Sequence, residues 1–395
     1  MAFFRSRTIN LLNLHYLIVW AAVSGGGAFY AIWLLKAGIA LWAVMLALAS
    51  IFAARFVLRL MVLPIALRFG LKAMVMLGTV LCGFIYIALA HVAGADLSLA
   101  RLVLITAIAD IFYWPCYHAY YAALGEAEHR GHALGLREAA NALIGVVSPL
   151  ASAALLLRFG AEASFYVTAL VQVSALLPLF FTPDVKVARR APGALKAGVM
   201  GAALFVGDGL VQSGYQVIWQ LVLYMALGRE LLAYGGAQAA ASLAGAVGGL
   251  TLGRWIDAGK GARAVVLSMS AMALVIVMRA GAPSHPALAV AANALGALSA
   301  CLYTPTLMTA MYNLSKRSPC VLRFHLVAEG GWDTGVSIGL IAAALLLRAG
   351  VAPGLTMLTA LGGLASGFVL LGRYYRDHAG EPIQARHDAL DDHRM

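Results

Sequence analysis

The sequence predicts an all-α membrane protein, built as two pseudo-symmetric bundles of six transmembrane helices, and three observations carry that prediction. Of its 395 residues, 62% are hydrophobic and only 11% are charged, against about 45–50% and about 25% in a soluble domain. The apolar residues gather in twelve runs long enough to cross a bilayer. The two halves of the chain also share short matches at a constant offset of 190 residues. A water-soluble fold cannot cover this much apolar side chain. The composition therefore excludes a soluble enzyme, a disordered chain and a protein with a single anchor.

A spanning helix needs about 20 mostly apolar residues at ~1.5 Å rise each. The runs lie at 11–35, 41–66, 71–93, 101–123, 136–158, 163–182, 197–227, 232–254, 264–281, 287–312, 324–348 and 354–373. The first is long enough to span and lacks a small-residue cleavage site, so no cleaved signal is expected. Many of the 41 glycines fall inside these runs, where small residues let helices approach closely. Cys82, Cys116, Cys301 and Cys320 form no CxxC pair, so neither a disulfide framework nor a metal site is expected. No cofactor is expected.

Lys and Arg set the orientation. Alternate loops carry 20 of them on the side of the termini and 6 on the other: Lys36, Arg101, Arg158, Arg229, Arg279 and Arg348. This bias places both termini in the cytoplasm of a multi-pass protein, and a bacterial inner membrane is the expected location. A missed span would scramble the alternation. The net charge of +11 thus reports topology, and no nucleic-acid partner is expected. Arg55 and Arg59 lie within the second run and are expected near its cytoplasmic end, able to pair with an acid.

The division of the chain follows. Residues 1–182 form an N-terminal bundle and 197–373 a C-terminal one. Residues 183–196, with Pro183, Pro192 and four basic residues, form a cytoplasmic linker. The polar tail 374–395 is expected to be mobile. Tyr113 and Pro115 match Tyr303 and Pro305, Gly145 matches Gly335, and AALLLR at 153–158 recurs at 343–348. Two six-span halves in one orientation are a parallel-repeat arrangement.

Twelve spans, a six-plus-six division and a central basic linker together resemble the major facilitator superfamily along essentially the whole chain. That family carries a loop signature between spans 2 and 3, repeated between spans 8 and 9. The second copy here reads GRWIDAGKGAR, with Gly253, Asp257 and Arg263. The first reads LPIALRFGLK; it keeps Arg68, Gly70 and Lys72 but has Leu63 and Leu67 in place of the expected Gly and Asp. The resemblance implies a cytoplasmic latch in which an acid near one helix end pairs with cations on its neighbour. The same charges can equally be solvated loop residues. Gly145 and Pro149 partly match the family's antiporter motif, with Ser148 and Ser152 where glycine is usual; antiport does not follow.

Ionisable residues at membrane depth cost roughly 2.5–3.5 kcal/mol each on insertion scales and are functional candidates by default. Asp110, Asp208 and Asp333 fall ~14–17 Å into their spans, near the bilayer midplane, and Glu329 one turn shallower. Each sits on a polar stripe at helical spacing. Span 4 carries Tyr113, Trp114, Tyr117 and His118 with Asp110. Span 7 carries Gln212, Tyr215, Gln216 and Trp219 with Asp208. Span 10 adds Tyr303, and span 1 adds Tyr30 after Gly25, Gly26 and Gly27. These residues are expected to line a substrate cavity. Because desolvation favours the neutral acid, Asp110, Asp208, Glu329 and Asp333 are the candidates for proton coupling. Each can instead serve as a structural hydrogen-bond partner. His325 is expected at the cytoplasmic interface, with a proton relay as the alternative, and His118 as a cavity ligand or an interhelical bond.

Aromatic residues and midplane acids favour a cationic or amphipathic organic solute. An anionic solute would call for a midplane Lys or Arg, and the runs place none there. The expectation is a monomeric, proton-coupled secondary transporter working by alternating access, in contact with lipid, protons and a small-molecule substrate. Drug or cation efflux is one form of it. A lipid flippase on the same fold is the alternative. A membrane-embedded enzyme is the third reading, without HExxH, GxSxG or a nucleotide loop to support it.

Overall fold

A computed structural model describes residues 7–124, 130–256 and 261–377. These residues are almost wholly helical, which satisfies the backbone within each span where a bilayer offers no water to do so. The helices are α1 (Arg7–Lys36), α2 (Leu41–Phe69), α3 (Leu71–Ala90), α4 (Leu97–Leu124), α5 (130–159), α6 (161–180), α7 (Ala194–Ala226), α8 (Leu231–Ile256), α9 (Gly261–Gly281), α10 (Pro286–Lys316), α11 (Val321–Arg348) and α12 (Pro353–Asp377). Gly160, at φ 82°, turns the chain between α5 and α6. Gly70, at φ 86°, turns it between α2 and α3; only glycine takes such a backbone at no steric cost. Large apolar side chains on the outer faces, such as Leu143, Leu170 and Leu274, are exposed, as lipid contact requires. The chain is an integral, multi-pass membrane protein.

Helices α1–α6 pack mainly on one another, and so do α7–α12. The two groups meet through α2 against α11, α5 against α8, α4 against α11, and the far ends of α1 and α7. Two helices are not regular. A 3₁₀ turn at Gly26–Phe29 interrupts α1 within the glycine triplet. A π turn at Ser213–Ile218 interrupts α7. A π turn winds one more residue into the same rise, so side chains beyond it point in a rotated direction.

The tightest pairing is α7 with α11. A Cβ on Gly331 would strike the Ala202 carbonyl, one on Gly335 the Val206 carbonyl, and one on Gly339 the Ser213 side chain. On the other side, a Cβ on Gly209 would strike the Trp332 carbonyl. The two backbones therefore touch along several turns and behave as one rigid pair, the small-residue packing typical of helices in lipid.

Candidate functional site

Arg55 stands about halfway along α2, ~21 Å from its start at helical rise, and is only 3% exposed. Its Nη1 donates to Asp110 Oδ2 of α4 at 3.1 Å, its Nε lies 3.0 Å from Asp333 Oδ1, and its Nη2 lies 3.6 Å from Glu329 Oε2. Arg59, one turn on, pairs with the second oxygen of Asp333, which is fully buried. Three of the four predicted acids thus converge on one arginine. The expectation that Arg55 and Arg59 lie near the cytoplasmic end is corrected, and so is the absence of a midplane cation. Residue 55 is the middle position of the 29-residue span, and the acids of α4 and α11 hold the guanidinium at that depth.

Asp208 stands apart. It is 8% exposed and accepts three hydrogen bonds: from Gln212 Nε2 at 3.1 Å, Tyr303 Oη at 2.7 Å and Trp332 Nε1 at 3.0 Å. Among the described residues no cation pairs with it. Trp332 links it to the first cluster, because Arg55 lies over the Trp332 ring at 5.5 Å and over Phe52 at 5.2 Å. Phe52 meets Trp332 edge-on. Sequence reasoning missed Trp332; it named Arg55 and Arg59, an arginine pair inside an apolar run, as able to pair with an acid but set them near the cytoplasmic end.

His118 and His325 stack at 5.7 Å between α4 and α11. His118 Nε2 lies 3.8 Å from Glu329 Oε1 and Nδ1 lies 3.5 Å from Tyr312 Oη. His325 is 1% exposed, not interfacial as expected, because it faces the partner helix rather than the membrane surface. Stacked rings point their nitrogens side by side rather than at a common centre. Among the described residues no cluster of three or more His, Cys, Asp or Glu side chains is arranged to hold a metal ion.

The π turn divides the predicted stripe of α7. Asp208 and Gln212 precede it and face Tyr303 and Trp332. Tyr215 and Trp219 turn instead toward α9 and α10, and Gln216 is exposed. Tyr215 Oη donates to the Gly296 carbonyl at 2.5 Å, and Trp219 Nε1 to Asn293 Oδ1 at 2.8 Å. Arg279 fills the space between them, 4.2 Å from the Tyr215 ring and 4.7 Å from that of Trp219. It is 3% exposed and bonds the Tyr215 carbonyl. Its assignment to an outer loop is therefore corrected.

From Trp219 a hydrogen-bond chain crosses the molecule at the end away from the termini. Asn293 Nδ2 donates to Gln238 Oε1, Gln238 Nε2 to Tyr234 Oη, and Tyr234 Oη to the Ala28 carbonyl in the broken turn of α1, at 2.9, 2.9 and 3.1 Å. This links the irregular turn of α7 to that of α1. Tyr234→Phe removes the last two bonds, from Gln238 and to Ala28, about 1 kcal/mol of net stability each. The expected result is faster labelling of an Ala31→Cys reporter by an impermeant maleimide added from that side. An unchanged rate would show that the chain does not hold this end shut.

The aromatic stripe of α4 also divides. Tyr113 and Tyr117 are buried, stacked on each other at 5.7 Å, and meet His15 and Tyr16 of α1. His15 Nε2 lies 3.1 Å from Tyr113 Oη. Trp114 stacks on His118, on the Asp110 side. Tyr30 shares a hydrogen bond with Thr106.

The first loop signature works within its own surroundings rather than across to an acid on a neighbouring span. Lys72 Nζ donates to the Phe180 and Thr182 carbonyls at 3.0 and 2.7 Å. Leu71 N–H donates to the Val185 carbonyl. Arg68 lies over the Phe69 ring. The carboxylate of Asp184 packs on Gly70, where a Cβ would meet it at 2.5 Å. Burial works against its charge, but Lys186 and the N–H groups of Lys72 and Val185 outweigh that and hold it below the usual carboxylate range. Asp184 thus caps the start of α3. In the second copy, Arg263 is exposed, and Asp257 and the surroundings of Gly253 lie outside the described residues.

No family model matches the chain, and no curated protein matches it. Solved structures do. The chain is similar to the human organic anion transporter MFSD10 (TETRAN), with a TM-score of 0.68 and 15% identity over 92% of this chain and 99% of that one. It is similar to an auto-inhibited POT family peptide transporter, with a TM-score of 0.65 and 11% identity over 95% and 98%. Likeness of this extent shows that the chain has the major facilitator fold.

Proposed function

We propose that the chain is a proton-coupled secondary transporter working by alternating access, with a cationic or amphipathic organic solute as cargo. One observation carries this: at mid-depth where the two groups of helices meet, three acids, Asp110, Glu329 and Asp333, face two cations, Arg55 and Arg59, and a fourth acid, Asp208, stands beside them on Trp332. Buried charges are retained against their desolvation cost where they serve function. Surplus acid in such a site takes up a proton or a positively charged group. The contacts of Arg55 run from α2 to both α4 and α11, so separating α2 from α11 breaks some and keeps others. Proton load and geometry are then linked.

The organic anions and peptides named for the two similar structures are cargo of those proteins. Here both midplane arginines already face acids, and among the described residues Asp208 has no cation. That balance supports positive cargo. Trp114, on the Asp110 side, supplies an aromatic face for it.

Flux into proteoliposomes tests the reading, using a panel of aromatic organic cations with organic anions and short peptides for comparison. A pH gradient is expected to drive cation flux, and Asp208→Asn to remove the driven component while leaving the protein folded. Driven flux that survives both Asp208→Asn and Asp110→Asn would overturn the coupling. Lipid scrambling without solute flux would favour a flippase instead.

A further inference from the structure

We propose that Trp332 is a positioning residue that makes Arg55's hold on α11 depend on the proton load of Asp208. The inference rests on the reading of Asp208 as a proton site. Three features of the packing lead to it.

First, Asp208 and Trp332 belong to one rigid pair. The glycine contacts between α7 and α11, with Gly209 set against the Trp332 carbonyl, leave no room for one helix to move without the other. The hydrogen bond between them, 3.0 Å long, therefore persists while α2 moves. Second, the other face of Trp332 belongs to α2. Arg55 lies over the indole ring and Phe52 meets it edge-on. The indole thus has its N–H toward a carboxylate and its face toward a cation. Third, Arg55 keeps a partner in its own group of helices, Asp110 at 3.1 Å. Loosening its contact with α11 does not strand it.

The chemistry follows from the indole. Its nitrogen is a donor only. When Asp208 is ionised, the N–H···carboxylate bond is charge-assisted and pushes electron density into the ring, and the ring face is what attracts Arg55. When Asp208 takes a proton from water, the carboxylate charge vanishes, the hydrogen bond weakens, and the face loses part of its negative potential. The cation then holds α11 less firmly, and the α2–α11 contact gives way more readily.

Other groups near Asp208 are Tyr303 from α10 and Glu329 from α11, while α12 meets this stretch of α7 with Gly363, Ser366 and Gly367. Around Arg55 stand Asp110, Glu329, Asp333 and the Cys82 thiol of α3. Glu329 stands near both, facing Arg55 at 3.6 Å and acting on Asp208 through its charge, but only Trp332 among the groups named here both hydrogen-bonds Asp208 and lies against Arg55.

The test uses the full chain in nanodiscs, with Cys301→Ser and spin labels at Leu60→Cys on α2 and Leu195→Cys at the start of α7, both exposed positions. Pulsed electron resonance reads the populations of near and far distances from pH 5 to pH 9. In the parent chain the ratio is expected to change with pH, and in Asp208→Asn it should stay at its low-pH value. Trp332→Phe keeps a ring but loses the N–H. It should reduce the pH response by about threefold or more, the scale of one cation–π contact. A Trp332→Phe response equal to that of the parent would overturn the proposal while leaving Asp208 as the proton site. An Asp208→Asn response equal to that of the parent would overturn the proton-site reading itself.

If Trp332→Phe does not fold, a multiply fluorinated tryptophan at position 332 keeps the shape and the N–H while draining the ring face. It should shift the populations away from the α2–α11 contact at every pH above the transition. An unchanged ratio there would overturn the role of the ring.

Discussion

Arg55→Ala should destabilise the protein by about 3–5 kcal/mol, the cost of removing one partner from a buried ion pair and leaving the other uncompensated. The loss does not measure what the pairs contribute, since burying all these charges is itself expensive. It measures the penalty of leaving three acids short of a cation. Asp110 loses the one it faces, Asp333 is fully buried and keeps only Arg59, and Glu329 keeps the charge of Arg59 and its contact with His118. Thermal unfolding in detergent is the direct measurement. The diagnostic experiment is rescue: Arg55→Ala combined with Asp110→Asn should recover a substantial part of the loss, because a neutral amide needs no cation. If the double variant is as unstable as the sum of the two single changes, the acids do not depend on Arg55. Arg55→Lys should restore charge but not the several directed contacts of a guanidinium, and should fall between.

Gly335→Val is expected to have the other large effect. A Cβ there would meet the Val206 carbonyl and lie 2.9 Å from the Leu210 nitrogen. Both are backbone atoms of α7 and cannot rotate aside. The pair of helices must separate, at ~1–3 kcal/mol or more for an overpacked contact. Separation also lengthens the path from Trp332 to Asp208, so the pH response should fall together with stability. Gly362→Ala is the control. Its Cβ would meet only Leu210 Cδ2, at 3.8 Å, and its effect should stay within about 0.5 kcal/mol. Equal losses at the two positions would show that helix propensity rather than close packing sets the cost.

Much of the site was legible before the structure. Asp110, Asp208, Glu329 and Asp333 stood out because an acid inside an apolar run is conspicuous whatever it touches. The loop residues Gly70 and Lys72 were visible as a signature, yet what they grip, the segment from Phe180 to Val185, follows from the turn of the chain after α6. The stripe on α7 was read at regular helical spacing, and the π turn at Ser213–Ile218 defeated that reading. An extra residue in one turn leaves no trace in hydropathy. His325 was placed by distance from a boundary, when its burial depends on which way α11 faces.

The amino-acid order alone determined that this chain crosses a bilayer many times and carries acids in its spans. Lipid accepts only apolar helices of sufficient length, and every exception to that rule shows in the sequence. Which charges meet was decided by the tertiary structure. Arg59 and Asp333 are 274 positions apart. They touch because of the rotation of α2 about its axis and the close seat of α11 on α7. Helix rotation is set by the summed packing of all neighbours, and no single stretch of sequence encodes that sum.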